Sequence, residues 1–317
     1  MGFSLKRNGG SDALAVAFGP QRVEFALVHR PNGAKPVVRS CASIVVEETP
    51  LGALRGLRKH IGKTRAACVA VLPAAEYQLN VVEAPGVPDA ELRDAVRWRM
   101  KELLDYPVVE ATIDVANIPQ DSNSQSRARL LFAISARNSV IGDRMKLFRD
   151  AKIPMRMIDV PEMAQRNIAA MFEDGPRAIA LLCFREDHGL LTFSAGGELY
   201  LARTIDVGLN QIAQTTGTAR VQLFERIALE LQRSLDHFDR QFSQVPIGRF
   251  LLGPLDVDVD LGDYLSHNLS MTVDTLDLAT VVDMQEVPAL CSPPGQARHL
   301  HVLGAALRAT SACAHPR

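Results

Sequence analysis

Apolar runs separated by short polar turns mark two places in the chain. At 13–28 two apolar runs are joined by Gly19 and Pro20, and at 178–193 two more runs are joined by a polar turn. This spacing predicts a β-hairpin at each place. A third apolar run at 198–203 adds a further strand to the second hairpin.

Helical patterns follow the hairpins. An amphipathic segment at 51–61 predicts a helix, and the apolar run at 66–72 predicts a strand after it. The clearest helix is predicted at 221–242, where apolar residues recur at three- and four-residue spacing. The residues that we expect to face the core are Phe224, Ile227, Ala228, Leu231, Leu235, Phe238 and Phe242.

A different pattern interrupts the first half at about residues 77–151. It predicts strands at 77–83, 111–118 and 127–135, helices at 89–104 and 138–151, and a polar loop at 119–126 that we expect to be mobile. These elements form an inserted α+β subdomain. A strand at 155–160 and a helix ending near Met171 complete the first half.

The segment Glu-Asp-Gly-Pro at 173–176 marks the expected boundary between two halves. We predict a first half at 13–174, a second half at 175–308 and a disordered tail at 309–317. Two repeats of strands followed by helices, the first carrying a small insert, predict an α/β fold of the actin-like, FtsA-like type.

Composition places the chain among globular proteins with two packed domains. Of its 317 residues, 47% are hydrophobic and 22% are charged, and the formal net charge is -1. This balance argues against a nucleic-acid binder. The sequence has no apolar run of membrane-spanning length, so we expect a cytoplasmic protein, and its five scattered cysteines predict reduced, mostly buried thiols.

The two hairpins lack the residues that an actin-type ATPase uses to hold magnesium. Such an enzyme places an aspartate in each phosphate loop, at the positions taken here by Ala17 and Cys183. Mg²⁺ prefers oxygen ligands, which neither alanine nor a thiol provides. We therefore predict a nucleotide cleft that has lost its magnesium chemistry.

One segment resembles a phosphate-binding loop. Residues 56–64 carry two glycines followed by Lys63 and Thr64, but five residues separate the glycines where the motif has four. A helix is also predicted before the segment and a strand after it, which is the reverse of a phosphate loop. We do not expect phosphate binding of that kind here.

Two further patterns suggest metal ligands only weakly. The alternating aspartates at 256–260 resemble half of a calcium loop, but Leu261 and His267 stand where glycine and glutamate are needed. We expect an exposed acidic face there. The histidines at 299–301 are predicted to share one face of a strand, and we interpret them as structural or surface residues.

Trp98 is a candidate for binding a partner protein. On the predicted helix at 89–104 the apolar stripe is formed by Leu92, Val96, Met100 and Leu103, and Trp98 falls on the opposite, charged face. An exposed tryptophan is typical of an interface anchor. The alternative is that Trp98 packs under a neighbouring subdomain.

Several segments, in this order and spacing, resemble the PilM family of type IV pilus assembly proteins, and among them the MshI proteins of mannose-sensitive haemagglutinin (MSHA) pili. The resemblance spans residues 13–308. It is carried by Val71-Leu-Pro73, Tyr77-Gln-Leu, Val82-Glu-Ala-Pro85, the run from Glu91 through Trp98 to Tyr106-Pro107, Glu230-Leu-Gln-Arg-Ser-Leu-Asp236 and Leu303-Gly-Ala-Ala-Leu-Arg308.

The resemblance implies a cytoplasmic protein lying under the inner membrane. Such a protein grips the N-terminal tail of a PilN-like, single-span membrane protein in a groove beside the insert, and it contacts other pilus platform proteins and possible copies of itself. The resemblance also implies a nucleotide cleft formed by Ala17, Gly19, Arg22, Cys183, Arg185 and the pair Gly253-Pro254, which stands where a Gly-Gly would cradle adenosine.

Two hypotheses follow. The first is a non-enzymatic scaffold without catalytic residues, cofactor or metal. The second is an actin-like ATPase, or a polymerising protein switched by nucleotide, in which Arg22 or Arg185 binds phosphate in place of magnesium ligands. The orientation of these two arginines relative to the cleft between the halves distinguishes the hypotheses.

Overall fold

The computed structural model describes residues 10–19, 21–62, 64, 66–120 and 128–308. The loop residues at 121–127 and the predicted tail at 309–317 lie outside this range. In chain order the elements are β1 Gly10–Phe18, β2 Arg22–Pro31, β3 Val37–Val45, α1 Pro50–Ile61, β4 Ala67–Val71, β5 Gln78–Glu83, α2 Leu92–Met100, β6 Ala111–Asn117, β7 Leu130–Arg137, α3 Asn138–Asp150, β8 Met155–Asp159, α4 Pro161–Ala169, β9 Ala178–Phe184, β10 Gly189–Ala195, β11 Glu198–Ile205, α5 Leu209–Gln214, α6 Gly217–Gln241, β12 Ile247–Leu252, α7 Leu261–Asn268, β13 Val273–Thr275 and α8 Pro293–Ala306.

Each half is built on a five-stranded sheet of the same topology. The first sheet has the order β3-β2-β1-β4-β8 and the second has the order β11-β10-β9-β12-β13. In both, the first three strands of the half form an antiparallel meander and the last two run parallel to its first strand. This duplication is the actin-like α/β fold, so the predicted fold class is confirmed.

Amphipathic helices cover both faces of both sheets with their apolar sides. Helices α1 and α3 pack on the outer face of the first sheet, and α6 and α7 pack on the outer face of the second. The residues predicted to face the core from α6 are buried, apart from the half-buried Phe242 at its end. The inner faces of the two sheets enclose a shared layer formed by α4 and α8.

Helices α4 and α8 are exchanged between the halves. Helix α4 belongs to the first half in sequence but packs against β9, β10 and β11, whereas α8 belongs to the second half and packs against β1, β2 and β4. The two helices also contact each other along their length. The inner face of each sheet is therefore covered by a helix from the other half.

A glycine permits the close approach of α4 and α8. A Cβ atom placed on Gly304 would lie 2.2 Å from the carbonyl oxygen of Ala164, which is far inside van der Waals contact. The carbonyl oxygen of Gly304 accepts a hydrogen bond of 3.0 Å from Nδ2 of Asn167. A side chain at position 304 would thus force the two helices apart.

The insert is a three-stranded sheet of order β5-β7-β6 with α2 on one face. Its other face packs against the second half, where Phe132 of β7 and Leu199 of β11 belong to one buried cluster. Helix α3, predicted as the last element of the insert, contributes Phe148 to the core of the first half. The insert therefore connects both halves.

Some sequence predictions were wrong in detail. Helix α2 ends at Met100, and the amides of Leu103 and Leu104 both donate to the carbonyl of Met100 in a turn. Leu103 is consequently 48% exposed and does not extend the apolar stripe. The prediction of mostly buried thiols agrees with the structure, in which Cys41, Cys68 and Cys183 are buried and Cys291 is exposed.

The two histidines at 299–301 lie in helix α8, not in a strand. Residues two positions apart on a helix point to nearly opposite sides, so His299 and His301 do not share a face. Both are buried. The aspartates at 256–260 are exposed, as predicted. Among the described residues no helix is both long and apolar enough to cross a bilayer.

The lysine that follows α3, Lys152, has an unusual backbone conformation. Lys152 has φ +57°, and it is the sole non-glycine residue of the described chain with positive φ. Its amide donates to the carbonyl of Arg149, and the amide of Ile153 donates to that of Phe148. This is a Schellman motif, in which the left-handed position is usually glycine.

Replacing Lys152 with glycine is expected to raise the free energy of unfolding by about 1 kcal/mol, because the left-handed conformation costs a side chain that much. Urea denaturation measures the change. The matched control is Lys146→Gly in the exposed interior of α3, which is expected to lower stability by about 1 kcal/mol. A destabilised Lys152→Gly would contradict the interpretation.

Candidate functional site

The two predicted phosphate loops occupy equivalent positions in the two halves. In the first loop the amide of Gly19 donates to the carbonyl of Arg22 at 2.8 Å. In the second loop the amide of Arg185 donates to the carbonyl of His188 at 2.7 Å. Ala17 and Cys183 each lie two residues before the donor, near the ends of β1 and β9. Both belong to the core between the sheets.

Neither position offers a metal ligand. Cys183 is 4% exposed, and burial raises the pKa of its thiol well above the usual range, so the thiol stays protonated. Ala17 has only a methyl group. Across the part of the chain that the structure describes, no cluster of three His, Cys, Asp or Glu residues is arranged to hold a metal ion.

Gly253 and Pro254 close over Cys183. The amide of Gly253 donates to the carbonyl of Leu182 at 2.7 Å, and a Cβ on Gly253 would lie 2.7 Å from Sγ of Cys183. Both Gly253 and Pro254 are buried. The structure thus brings together the predicted cleft residues of the second half, and the thiol fills the space beside the glycine.

An ion pair joins the two halves at this cleft. Nη1 of Arg185 lies 3.9 Å from Oε2 of Glu24, which stands opposite Ala17 in the register of β1 and β2. Burial raises the pKa of Glu24, while the positive charges of Arg185, Arg298 and Arg22 lower it. Arg185 therefore faces the other half, and Arg22 is exposed at the hairpin turn.

Helix α8 adds a neutral histidine, His299, to the row of residues that Ala17 and Glu24 form across β1 and β2. Nε2 of His299 lies 3.1 Å from Oγ of Ser43, which is opposite Glu24 in the register of β2 and β3. Nδ1 of His299 lies 2.9 Å from the carbonyl oxygen of Gly295, and burial lowers the pKa of the imidazole. His299 thus acts as a hydrogen-bonding residue between the halves.

Gln165 on α4 ties the inner layer to the second sheet. Its Nε2 donates to the carbonyls of Leu181 and Leu190 at 2.5 and 3.0 Å, and its Oε1 lies 3.4 Å from Nε2 of His301. Burial lowers the pKa of His301 well below its usual range. These buried polar groups hydrogen-bond with one another and connect α4 to the second sheet and to α8.

A second buried polar cluster lies where the insert meets the core. The hydroxyl of Tyr77 donates to Glu162 at 2.6 Å, and Arg308 donates to Asp159 at 3.0 Å. Burial raises the pKa of both carboxyl groups, partly opposed by the hydrogen bond from Tyr77 and the charge of Arg308. The cluster fixes the start of the insert and the end of α8.

The candidate partner residue Trp98 is 73% exposed on α2, as predicted, beside the exposed Asp94, Lys101 and Glu102. Val109, in the short turn after α2, is 76% exposed. Nη1 of Arg97 donates to the carbonyl of Val108 at 2.9 Å and holds this turn against α2. The insert therefore presents apolar side chains to solvent.

Sequence reasoning missed Glu24, Ser43 and Gln165. A signal was present for Glu24, because an acidic residue between Val23 and Phe25 interrupts an otherwise apolar strand. Its partner Arg185 comes from the other half of the chain, so no local pattern could identify the pair.

Replacing Arg185 with alanine is expected to lower the free energy of unfolding by about 1 to 2 kcal/mol at neutral pH, since it leaves the Glu24 carboxylate buried without its cation. The pKa of Glu24 in the folded protein already lies above the ordinary 4.5. The loss of stability caused by Arg185→Ala should therefore become smaller as the pH falls and Glu24 is protonated.

Denaturation with urea between acidic and neutral pH measures this loss. Arg203→Ala, which removes an exposed arginine from β11, is the control. A loss that stays constant over the whole pH range would show that Arg185 acts through packing and not through the charge of Glu24.

No protein-family model matches the chain, and no curated protein matches it in sequence. Two solved structures are similar over nearly the whole chain. A chain of the PilM-PilN type IV pilus biogenesis complex is 19% identical with a TM-score of 0.67, and the match covers 93% of this chain and 98% of that one.

The second similar structure is the cytoplasmic domain of EpsL, an inner membrane component of the type II secretion system of Vibrio cholerae. It is 10% identical with a TM-score of 0.55, over 95% of this chain and 99% of that domain. At these identities the likeness concerns the fold. The chain thus shares its overall fold with a chain of the PilM-PilN complex.

Proposed function

We propose that this chain is a non-enzymatic cytoplasmic scaffold of a type IV pilus assembly platform of the MSHA type. In this proposal it lies at the inner membrane and binds the N-terminal tail of a PilN-like, single-span membrane protein. The observation that carries the proposal is the likeness to a chain of the PilM-PilN complex, which extends over 93% of this chain. The likeness to the cytoplasmic domain of an inner membrane protein supports the location.

The cleft supports a scaffold rather than an ATPase. Phosphoryl transfer depends on a magnesium ion that neutralises the developing charge on the phosphates. Here Ala17 and the protonated thiol of Cys183 occupy the ligand positions, and Glu24 already pairs with Arg185. Arg185, which could have bound phosphate, is thus engaged with a carboxylate of the protein itself.

The insert offers main-chain groups for a partner peptide. Strands β5 and β6 are the two edges of its sheet, so each has a row of amides and carbonyls on its outer side. A short tail can add to such an edge through main-chain pairing, with side chains filling nearby pockets. We place the tail in the groove beside the insert on this basis.

The alternative is a protein switched by nucleotide. What favours it is that Arg185 does face the cleft, where the positive charges of Arg22 and Arg298 also act on Glu24. Arg185 could accept a phosphate if Glu24 were displaced or protonated, and the charges of Arg22 and Arg298 would add to the attraction. Binding of this kind would be independent of magnesium.

Calorimetric titration with ATP, with and without Mg²⁺, separates these functions. The scaffold predicts no binding heat up to millimolar ATP and no ATP turnover that follows the purified protein, because the magnesium ligands are missing. An actin-like ATPase titrated in parallel is the control. Magnesium-dependent binding at micromolar ATP would refute the scaffold, and binding without magnesium would favour the switch.

Trp98→Ala is expected to weaken binding of the partner tail by about 2 kcal/mol, or roughly thirty-fold in Kd, if this exposed side chain anchors the interface. Fluorescence anisotropy with a labelled tail of the PilN-like protein from the same organism measures it. The control is Val221→Ala on α6, which removes an exposed apolar side chain from the second half. Equal affinity of both variants would assign Trp98 no role in binding.

A further inference from the structure

A cavity of about 540 Å³ lies between the C-terminal ends of α1 and α3. Its charged lining is Arg55, Arg58 and Lys59 from α1, and Asp150 and Lys152 from the end of α3. Four cations thus face one carboxylate. Arg55 and Lys59 are exposed, as is Lys152.

The sequence concentrates these cations on one helical face. Positions 55, 58 and 59 recur at three- and four-residue spacing, so their side chains lie on the same side of α1. Like charges at this spacing repel one another and weaken a helix. Among the residues that the structure describes, no acidic residue forms an ion pair with Arg55, Lys59 or Lys152.

Hydrogen bonds to the free carbonyls at the helix ends do not account for the cluster. Basic residues often satisfy the free carbonyls in the last turn of a helix. Here the amide of Gly62 donates to the carbonyl of Arg58, and the amides of Lys152 and Ile153 donate to the last turn of α3. Arg58 alone reaches a carbonyl, that of Ala151 at 3.5 Å. Within the described part of the chain, the other three cations make no side-chain hydrogen bond to a carbonyl there.

Lys152 adds an independent observation. It holds the left-handed position of the Schellman motif, where glycine carries no strain and lysine does. A local rule broken in this way is expected where a side chain serves a function. The side chain that occupies this strained backbone position is a cation that lines the cavity.

Charge is also divided between the halves. Residues 1–174 carry 24 Lys and Arg against 20 Asp and Glu, whereas residues 175–317 carry 11 against 16. Among the described residues the first half carries 19 Lys and Arg against 19 Asp and Glu, and the second half carries 10 against 16. A negatively charged surface would therefore repel the second half more strongly than the first.

We propose that this basic cavity binds the phosphate headgroup of an anionic phospholipid and docks the first half on the inner membrane. Arginine provides paired N–H donors for phosphate oxygens and lysine provides a point charge, and the cavity contains both. The choice of a lipid as the source of phosphate rests on the proposed function, which locates the chain at that membrane.

The test is co-sedimentation of the purified chain with vesicles of phosphatidylcholine, with and without phosphatidylglycerol. Binding is expected only with phosphatidylglycerol, and it should decrease as salt rises. The double variant Arg55→Gln, Lys59→Gln is expected to bind about thirty-fold more weakly, since each basic residue contributes roughly tenfold or less at an anionic surface. The control is Arg203→Gln, Arg240→Gln, which removes the same charge from the second half.

Lys152→Gly separates binding from folding. It should bind these vesicles about fivefold more weakly while its thermal unfolding midpoint rises, an outcome that damage to the fold cannot produce. Equal losses in the cavity variant and the control would overturn the proposal. So would binding of inorganic phosphate with no vesicle binding, or loss of self-association in the cavity variant without any effect on vesicles.

These outcomes are independent of the proposed scaffold function. The vesicle assay contains neither ATP nor the partner tail, so a chain that binds the tail but not phosphatidylglycerol retains the proposed function and refutes the lipid site. A chain that binds vesicles but not the tail supports the lipid site and refutes the proposed function.

Discussion

The contact between α4 and α8 is the constraint on which the other parts of the structure depend. The two helices approach until the backbone of Gly304 touches the carbonyl of Ala164, and no side chain fits between them. This spacing fixes the distance between the two sheets that enclose the helices. The ends of β1 and β9, and the ion pair between Glu24 and Arg185, can meet only at that distance.

The charged groups between the two halves create an electrostatic problem that this chain solves internally. Arginines that face one another across the cleft would repel, and a buried carboxylate without a cation would be unstable. The pairing of Glu24 with Arg185, and the contact of Ser43 with His299, satisfy these groups across the halves. These polar contacts hold the two halves together.

Local periodicity was enough to predict the hairpins, the insert and helix α6, because each buries one regular face. It failed at Leu103, where three residues after Met100 adopt a turn that the apolar spacing does not reveal. It also failed at His299 and His301, because a segment that is buried on all sides shows no period with which to distinguish a helix from a strand. The absence of an aspartate at positions 17 and 183 can be read from the sequence, whereas the role of Glu24 required its distant partner Arg185.

The exchange of α4 and α8 has a consequence for how the chain is made and divided. A polypeptide that ends before β9 has α4 but no second sheet for it to cover, and its own sheet lacks α8. The edge of β3 would also be open, because the amide of Val38 and the carbonyl of Pro36 pair with Asp283 from the second half. During synthesis the inner face of the first sheet therefore stays uncovered until α8 has been made, and the exposed apolar surface and open strand edge favour aggregation in that interval.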